Sequence, residues 1–267
     1  MGSGMDTVSG FVTAPGATFT PWTMAAGDSL TVRNSNPAKR SFLLDMWGWN
    51  NTAGTLRLRS PKLHDNVQGI RESVLSNDVE AEFGLAISQT LYPQDTLIAE
   101  QTGSATAGQI ETGSLLVWYE DLPGVAGRFL APADVTKRIV NIFTNEVQIT
   151  PGAGGGYQGQ QAFNSLFDLT QANTDYALLG FVVSARCATV SLRGPDTGNL
   201  RVSGPGEPTK RDITNNWFWK LSMATAIPLI PVINSANKAG TFIDIVANQT
   251  ATAVTVDLVM AQLSPAA

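Results

Sequence analysis

One cysteine and one histidine stand among 267 residues, and their scarcity removes whole classes of chemistry. Cys187 has no partner for an intrachain disulfide. Neither a Cys-x-x-Cys motif nor a Cys/His zinc site can be assembled from this count. A cupin-like metal centre needs several clustered histidines, and His64 alone cannot supply them. Charge is scarce as well: Asp, Glu, Lys and Arg make up 15% of the chain, against roughly 25% in an average soluble domain. Basic runs are missing. Lys137-Arg138 and Lys210-Arg211 are isolated pairs, and the formal net charge is −5, a balance that argues against direct or sequence-specific coating of nucleic acid. No apolar stretch reaches the roughly 18 residues of a membrane-spanning helix; the longest, 226–233, is broken by Pro228 and Pro231. No secretory signal opens the chain, so the expectation is a soluble protein assembled in a cytoplasm. Gly2-Ser3-Gly4 has the composition of a tag remnant.

The place of the missing charges is taken by Thr, Asn, Ser, Gln and Gly. Neutral polar groups are cheaper to desolvate than charges, which suits strands, turns and surfaces that pack against other subunits. Short apolar runs bounded by Gly, Pro, Asn and Asp dominate. Examples are Ser41-Phe42-Leu43-Leu44-Asp45-Met46-Trp47, Thr55-Leu56-Arg57-Leu58-Arg59 and Val254-Thr255-Val256-Asp257-Leu258-Val259. Several alternate with period two, the pattern of half-buried strands in an all-β sandwich or barrel. The one stretch with helical character is Asn66 to Phe83, expected as a turn or two within a long loop.

The chain also repeats itself. Pro15-Gly16-Ala17 returns as Pro151-Gly152-Ala153 and Ser29-Leu30 as Ser165-Leu166, both at an offset of 136. Leu43-Leu44 then aligns with Ala177-Leu178, and Leu58-Arg59-Ser60-Pro61 with Leu192-Arg193-Gly194-Pro195, at an offset of 134. Leu122 and Leu263 each precede a proline near the end of a copy. Anchors in constant order, with drift confined to loops, indicate duplication. The linker falls between Phe129 and Lys137, which divides the chain into domains 1–132 and 133–267. Each half holds about eight strands, the number in a jelly roll of two facing four-stranded sheets. The expected fold is therefore all-β, with two tandem eight-stranded jelly-roll domains.

This duplication, strand rhythm and length resemble the tandem (double) jelly-roll capsid proteins of icosahedral bacteriophages. The resemblance covers nearly the whole chain and is architectural; no diagnostic motif carries it. It implies a homotrimer with a pseudo-sixfold outline, tiling into a shell with its barrels roughly perpendicular to the surface and loops at the outer end. Partners would be other copies, other virion proteins and, in membrane-containing members, a bilayer beneath the shell. The location implied is the virion, after assembly in the host cytoplasm, and no cofactor is implied.

Chemical alternatives find little support. His64-Asp65 satisfies two members of a Ser-His-Asp triad by letter, yet no G-x-S-x-G elbow is present. Gly154-x-Gly156-x-x-Gly159 matches a dinucleotide fingerprint by letter but lies in no βαβ context and reads as an inter-strand loop. The acidic groups Asp78, Glu80, Glu82 and Glu120-Asp121 lack EF-hand spacing, and a solvated loop face is favoured over a Ca²⁺ site. Asn50-Asn51-Thr52 and Asn248-Gln249-Thr250 fit the glycosylation pattern and read as turns. No catalytic, metal or cofactor residue emerges. The candidates are interface residues: Trp49, Trp217, Trp219, His64 and Tyr157, with the loops Pro61–Phe83 and Gly152–Gln161. Trp47 and Trp49 alternate, as do Trp217 and Trp219, so each pair is expected on one side of a strand. Such a pair either lines a barrel core or anchors an interface. Two rival readings remain. One is a cement, decoration or tail-associated virion protein. The other is a carbohydrate-binding β-sandwich with an exposed aromatic platform.

Overall fold

The computed structural model describes residues 2–25, 27–63, 66–79, 89–152, 154–162, 171–248 and 253–265. The first half runs through β1 (Gly2–Thr13), β2 (Thr20–Pro21), β3 (Thr23–Met24), β4 (Ser41–Asn50), β5 (Gly54–Arg59), β6 (Ile70–Val74), β7 (Asp78–Val79), β8 (Gln89–Leu91), β9 (Ile98–Gln101) and β10 (Ile110–Leu122). β11 (Phe129–Leu130) and α1 (Pro132–Arg138) lead into β12 (Ile139–Ile149), β13 (Tyr157–Ala162), β14 (Asp175–Val183), β15 (Cys187–Arg193) and β16 (Val202–Gly206). Two short helices, α2 (Arg211–Thr214) and α3 (Trp217–Thr225), precede β17 (Ile230–Asn234), β18 (Phe242–Val246) and β19 (Val254–Leu263).

Strand order defines the wiring. In the first half one sheet runs β3-β1-β10-β4-β7, with β8 also on β4, and the other β2-β9-β5-β6. In the second half the orders are β11-β17-β14-β19-β12 and β13-β18-β15-β16. Each half places its first strand beside its last, and the chain passes repeatedly between the two sheets. That is the two-Greek-key connectivity of a jelly roll, present twice. The sequence repeats fall at equivalent points. Pro15 and Pro151 follow β1 and β12, Leu58-Arg59 and Leu192-Arg193 end β5 and β15, and Leu122 and Leu263 end β10 and β19. Ser165-Leu166 lies outside the described residues.

The four sheets stack in layers. The first core lies between the two sheets of the first half and contains Val12, Leu43, Met46, Leu56, Leu58, Leu115 and Val117. The second core is filled by Val147, Phe181, Val190, Leu192, Ile243, Ile245, Val256 and Leu258. A third buried layer, the seam, joins the barrels. Leu44, Trp47, Trp49, Leu116 and Trp118 of the β1-β10-β4 sheet belong to the same apolar cluster as the second barrel. A β-bulge, with Leu44 as the extra residue opposite Leu116 and Val117, offsets the alternation of β4. Leu43 and Met46 thereby enter the first core while Leu44 and Trp47 enter the seam.

Several expectations need correction. The segment 66–79 is not helical: Ile70–Val74 forms a strand antiparallel to β5. Its exposure alternates along the strand, and Glu72 faces the same way as Leu56 across the pair. The loop expected over Pro61–Phe83 therefore contains β6 and β7, and that over Gly152–Gln161 contains most of β13; residues 80–83 lie outside the described set. Trp217 and Trp219 sit on α3, not on a strand. Trp217, Phe218 and Leu221 are buried together at helical spacing, and the helix ends on Ala226 in the left-handed region. Two residues apart on a helix means about 200° around the axis, so the two indoles do not share a face. Gly2 and Gly4 are paired to Leu122 and Tyr119 within β1.

Trp47 is the most fully buried of the tryptophans that the first barrel places in the seam. Its indole packs edge-on against Trp217 at 5.7 Å, and its N–H donates to the Ala188 carbonyl at 2.9 Å. Trp47→Ala should cost about 3–5 kcal/mol. Trp47→Phe, which keeps a ring but leaves that carbonyl without its donor, should cost about 1–3 kcal/mol. Urea unfolding of both variants checks the order. Equal losses would mean that the hydrogen bond, not the packing, dominates.

Candidate functional site at the seam between the barrels

The structure puts three of the interface candidates into the seam within the chain. Trp49 is buried, and its carbonyl accepts from Asn248 Nδ2 at 2.8 Å. Trp217 is fully buried and donates its indole N–H to the Ser203 carbonyl at 3.2 Å. Tyr157, on β13, reaches across to β1: its hydroxyl lies 3.0 Å from Ser9 Oγ and 3.1 Å from Asp28 Oδ2. Trp219 is half-buried against the same apolar cluster. His64 lies outside the described residues.

Sequence inspection passed over the polar half of the seam. A hydroxyl ladder, Ser9–Ser114 at 2.8 Å and Ser114–Thr189 at 2.6 Å, joins β1, β10 and β15. Thr112 donates to Asn248 Oδ1 at 2.6 Å. Asn248 and Asn50, the first residues of the two glycosylation-like triplets, are both buried with their side chains bonded inside the fold. Each of these hydroxyls and amides has a partner, as a buried polar group ordinarily requires, whereas the buried Thr7 hydroxyl and Trp49 indole N–H have none among the described residues.

Charged groups gather at one side of the seam. Thr7 N–H donates to the Arg201 carbonyl at 2.8 Å, and Arg201 N–H donates to Asp6 Oδ1 at 3.2 Å, so β1 takes up the chain just before β16. Arg201 also pairs with Asp28 at 3.1 Å and stacks on the Tyr157 ring at 3.7 Å. Arg33 pairs with Asp6 at 3.1 Å, and Arg193 and Arg201 each lie 3.7 Å from Asp244. Burial outweighs these cations: it raises the Asp6 and Asp244 carboxyls to about 6. Burial, with Asp28 beside it, pushes the Tyr157 phenol well above its usual range.

A second ionic group ties the barrels at the other side. Glu207 accepts from Arg186 Nε at 2.5 Å and from the Val79 N–H at 3.2 Å, while Arg186 reaches Asn77 at 3.1 Å. Burial opposes ionisation of Glu207, but bonds from Arg186 and Thr209 prevail and bring its pKa to about 2. Asp78, from the acidic cluster weighed for Ca²⁺, pairs with Lys210 at 3.2 Å, and Glu120 pairs with Arg40 at 3.2 Å. Glu80 and Glu82 are outside the described residues. Among the described residues no cluster of three or more His, Cys, Asp or Glu side chains is arranged to hold a metal. Cys187 is buried, and its thiol is pushed up to about 12 by burial and by Glu207.

Beside the seam, a cleft of about 640 Å³ opens between Phe42 and Trp118 of the first barrel and Ala226 to Pro228 after α3. Among the described residues two broad sheet faces pack on no other sheet, although Phe19 lies over Arg57 at 3.8 Å on the first of them. The outer side of β2-β9-β5-β6 carries Arg57, Arg59, Arg71 and Glu100, and the outer side of β19-β12 carries Asp257 and Glu146. Val140 (62% exposed) and Ile142 (54%) lie along β12, the end strand of its sheet.

These pKa values set an acid-side optimum. Asp6 and Asp244 have folded pKa values above their ordinary 3.8, so the folded state holds more protons than the unfolded one between about pH 4 and 6. Their contribution is full below about 4 and is lost as pH rises through 6. Glu207 acts in the opposite sense: its contribution is lost as pH falls from 4.5 towards 2. Melting temperature against pH should therefore peak near pH 4 and fall as pH rises towards 6 and beyond, and Asp244→Asn should flatten that alkaline limb. A melting temperature that climbs steadily from pH 4 to 8 would refute this assignment.

No family model matches the sequence, and no curated protein does. Solved structures that the chain is similar to include the PBSX exported protein XepA, at 9% identity and a TM-score of 0.27, covering 98% of this chain and 86% of that one. The STIV MCP is similar at 7% identity and a TM-score of 0.24, covering 98% and 97%. The major capsid protein P2 from bacteriophage PM2 is similar at 7% identity and a TM-score of 0.23, covering 98% of both chains. Scores of this size carry no weight for function, and the fold stands on its own strand order.

Proposed function

We propose that the chain is a capsid subunit: a non-enzymatic structural protein that associates with copies of itself, first as a trimer and then as a shell lattice. One observation carries the reading. The two jelly rolls meet through unlike sheets, the β1-β10-β4 sheet of the first on the β15-β16-β18 sheet of the second. A contact between unlike surfaces is heterologous, and repetition of such a contact closes a ring or extends a lattice. Each chain keeps one free sheet of each kind, so three chains bring six barrels to a ring with the same type of contact throughout. The low charge content and the net charge of −5 suit a wall that encloses nucleic acid without coating it.

The glycan-binding alternative lacks a comparable observation. Its aromatic platform would need several exposed rings on one face, and among the described residues Tyr92 is the one aromatic in the set of exposed large hydrophobics. The deciding experiment is sedimentation velocity across a wide concentration range, with negative-stain imaging of the heaviest species. Trimers of hexagonal outline, or closed shells, are expected. A trimer that never closes alone but decorates a shell made by another protein would replace the capsid role with a cement role. A monomer at every concentration would overturn self-assembly altogether.

A further inference from the structure

The strongest unexplained feature outside the seam is a pair of like charges. Glu146 and Asp257 are directly opposite one another on β12 and β19. Their chain neighbours Val147, Val256 and Leu258 are buried in the second core, so both carboxylates point to the outer side of the sheet. Like charges directly across a strand pair destabilise a sheet. Neither carboxylate has a salt-bridge partner among the described residues: Glu146 accepts from Gln148, and Arg211 influences Asp257 only from a distance. Partial burial, then the charge of Glu146, raises the Asp257 carboxyl above its ordinary value. The surrounding outer side is neutral or apolar, with Ile142, Thr144, Thr255 and Val259.

The free sheet of the first barrel carries the converse. On the outer side of β5 and β6, Arg57 and Arg71 are directly opposite one another. Arg57 and Arg59 share Glu100, at 2.7 and 2.9 Å. Arg71 is exposed, bonds to Gln68, and has no carboxylate partner among the described residues. Three arginines thus stand against one glutamate.

The duplication says what such a face meets. At the offset of 134, Arg59 corresponds to Arg193 and Arg57 to Ser191; by strand pairing Glu100, opposite Arg57, then holds the place of Asp244, opposite Ser191. In the second barrel that patch is covered, and Arg201 beside it receives a carboxylate, Asp28, from the neighbouring barrel. The counterpart patch in the first barrel packs on no other sheet among the described residues; Phe19 lies 3.8 Å from Arg57, which is largely buried with Glu100, and the exposed Arg71 is left to meet an incoming chain.

We infer that the outer face around Glu146 and Asp257 docks on the Arg57–Arg59–Arg71 face of a second copy of this chain. The inference rests on the self-association proposed above and assigns its contact. The acidic pair gains the cations it lacks, Arg71 gains a carboxylate, and the unlike-sheet contact within the chain is repeated between chains. Charge complementarity of this kind selects partner and register as well as speeding encounter.

Full-length variants compared by sedimentation at low salt test it. Glu146→Lys with Asp257→Lys should weaken association at least about tenfold, as should Arg71→Glu alone. The triple variant, which reverses both faces within one chain, should recover most of the loss. Glu146→Gln separates docking from folding: it should weaken association while leaving the melting temperature of the dissociated chain equal or higher, because it relieves a repulsion. If the wild type self-associates and every variant matches it, this contact is wrong while self-assembly stands. If Glu146→Gln lowers the melting temperature, the pair serves the fold and the inference fails. A wild type that is monomeric throughout overturns the functional reading and this contact together.

Discussion

Four central strands buried almost throughout on both faces are the constraint to which the rest of the chain conforms. β4 and β10 are buried towards the first core and towards the seam, and β15 and β16 likewise towards the seam and the second core. A charge placed on such a strand would lose its hydration without certain compensation. Serine and threonine hydroxyls bonded to one another, as in Ser9–Ser114–Thr189, avoid that penalty. The composition follows: most charge lies at the rims of the seam, where Arg201, Asp28, Glu207 and Arg186 bind the barrels in ionic groups, and the one acidic group fully buried in β4, Asp45, is pushed by that burial well above its ordinary range. Close approach sets the remaining choices. At Gly204 a Cβ would collide with the Trp217 indole, and at Gly113 with the Trp22 ring of the first core; a side chain at either would push apart closely packed layers.

Legibility in the sequence tracked how many faces of a strand are buried. β19 alternates strictly, with buried Val254, Val256, Leu258 and Met260 separated by half-exposed residues, and its period is visible in the letters. β4 is buried along both sides, so Ser41 to Asn50 reads as a strand while its two allegiances stay hidden. The duplication was readable because Leu-Arg-x-Pro marks the same strand end in both barrels. The seam was not, since the hydrogen bond from Trp47 closes on a backbone carbonyl 141 residues away. No local pattern encodes such a partner.

The misread elements have local causes. Trp217-x-Trp219 matches a strand's two-residue spacing, but Phe218 and Leu221 supply the helical face, and Trp217 to Thr225 holds few β-branched residues. Ile70 to Val74 offers only five residues of alternation at the end of its sheet, too short to stand out against a polar surrounding. The interface candidates chosen for size were aromatic, and Trp49, Trp217 and Tyr157 are engaged within the chain. The open faces instead carry arginines and carboxylates, whose significance depends on pairing across strands and could not be seen along one.

The order of the chain gives the seam a consequence during synthesis. The first barrel has all its strands once Leu122 has left the ribosome, whereas the strand that completes the second ends at Leu263. At about 5–20 residues per second, the interval is on the order of ten seconds. Throughout it the newborn first barrel presents Leu44, Trp47, Trp49 and Leu116 to solvent on a finished sheet. A nascent chain in that condition is a client for a holding chaperone, and crowded polysomes translating this message would bring several such sheets side by side before any has its own second barrel to cover it.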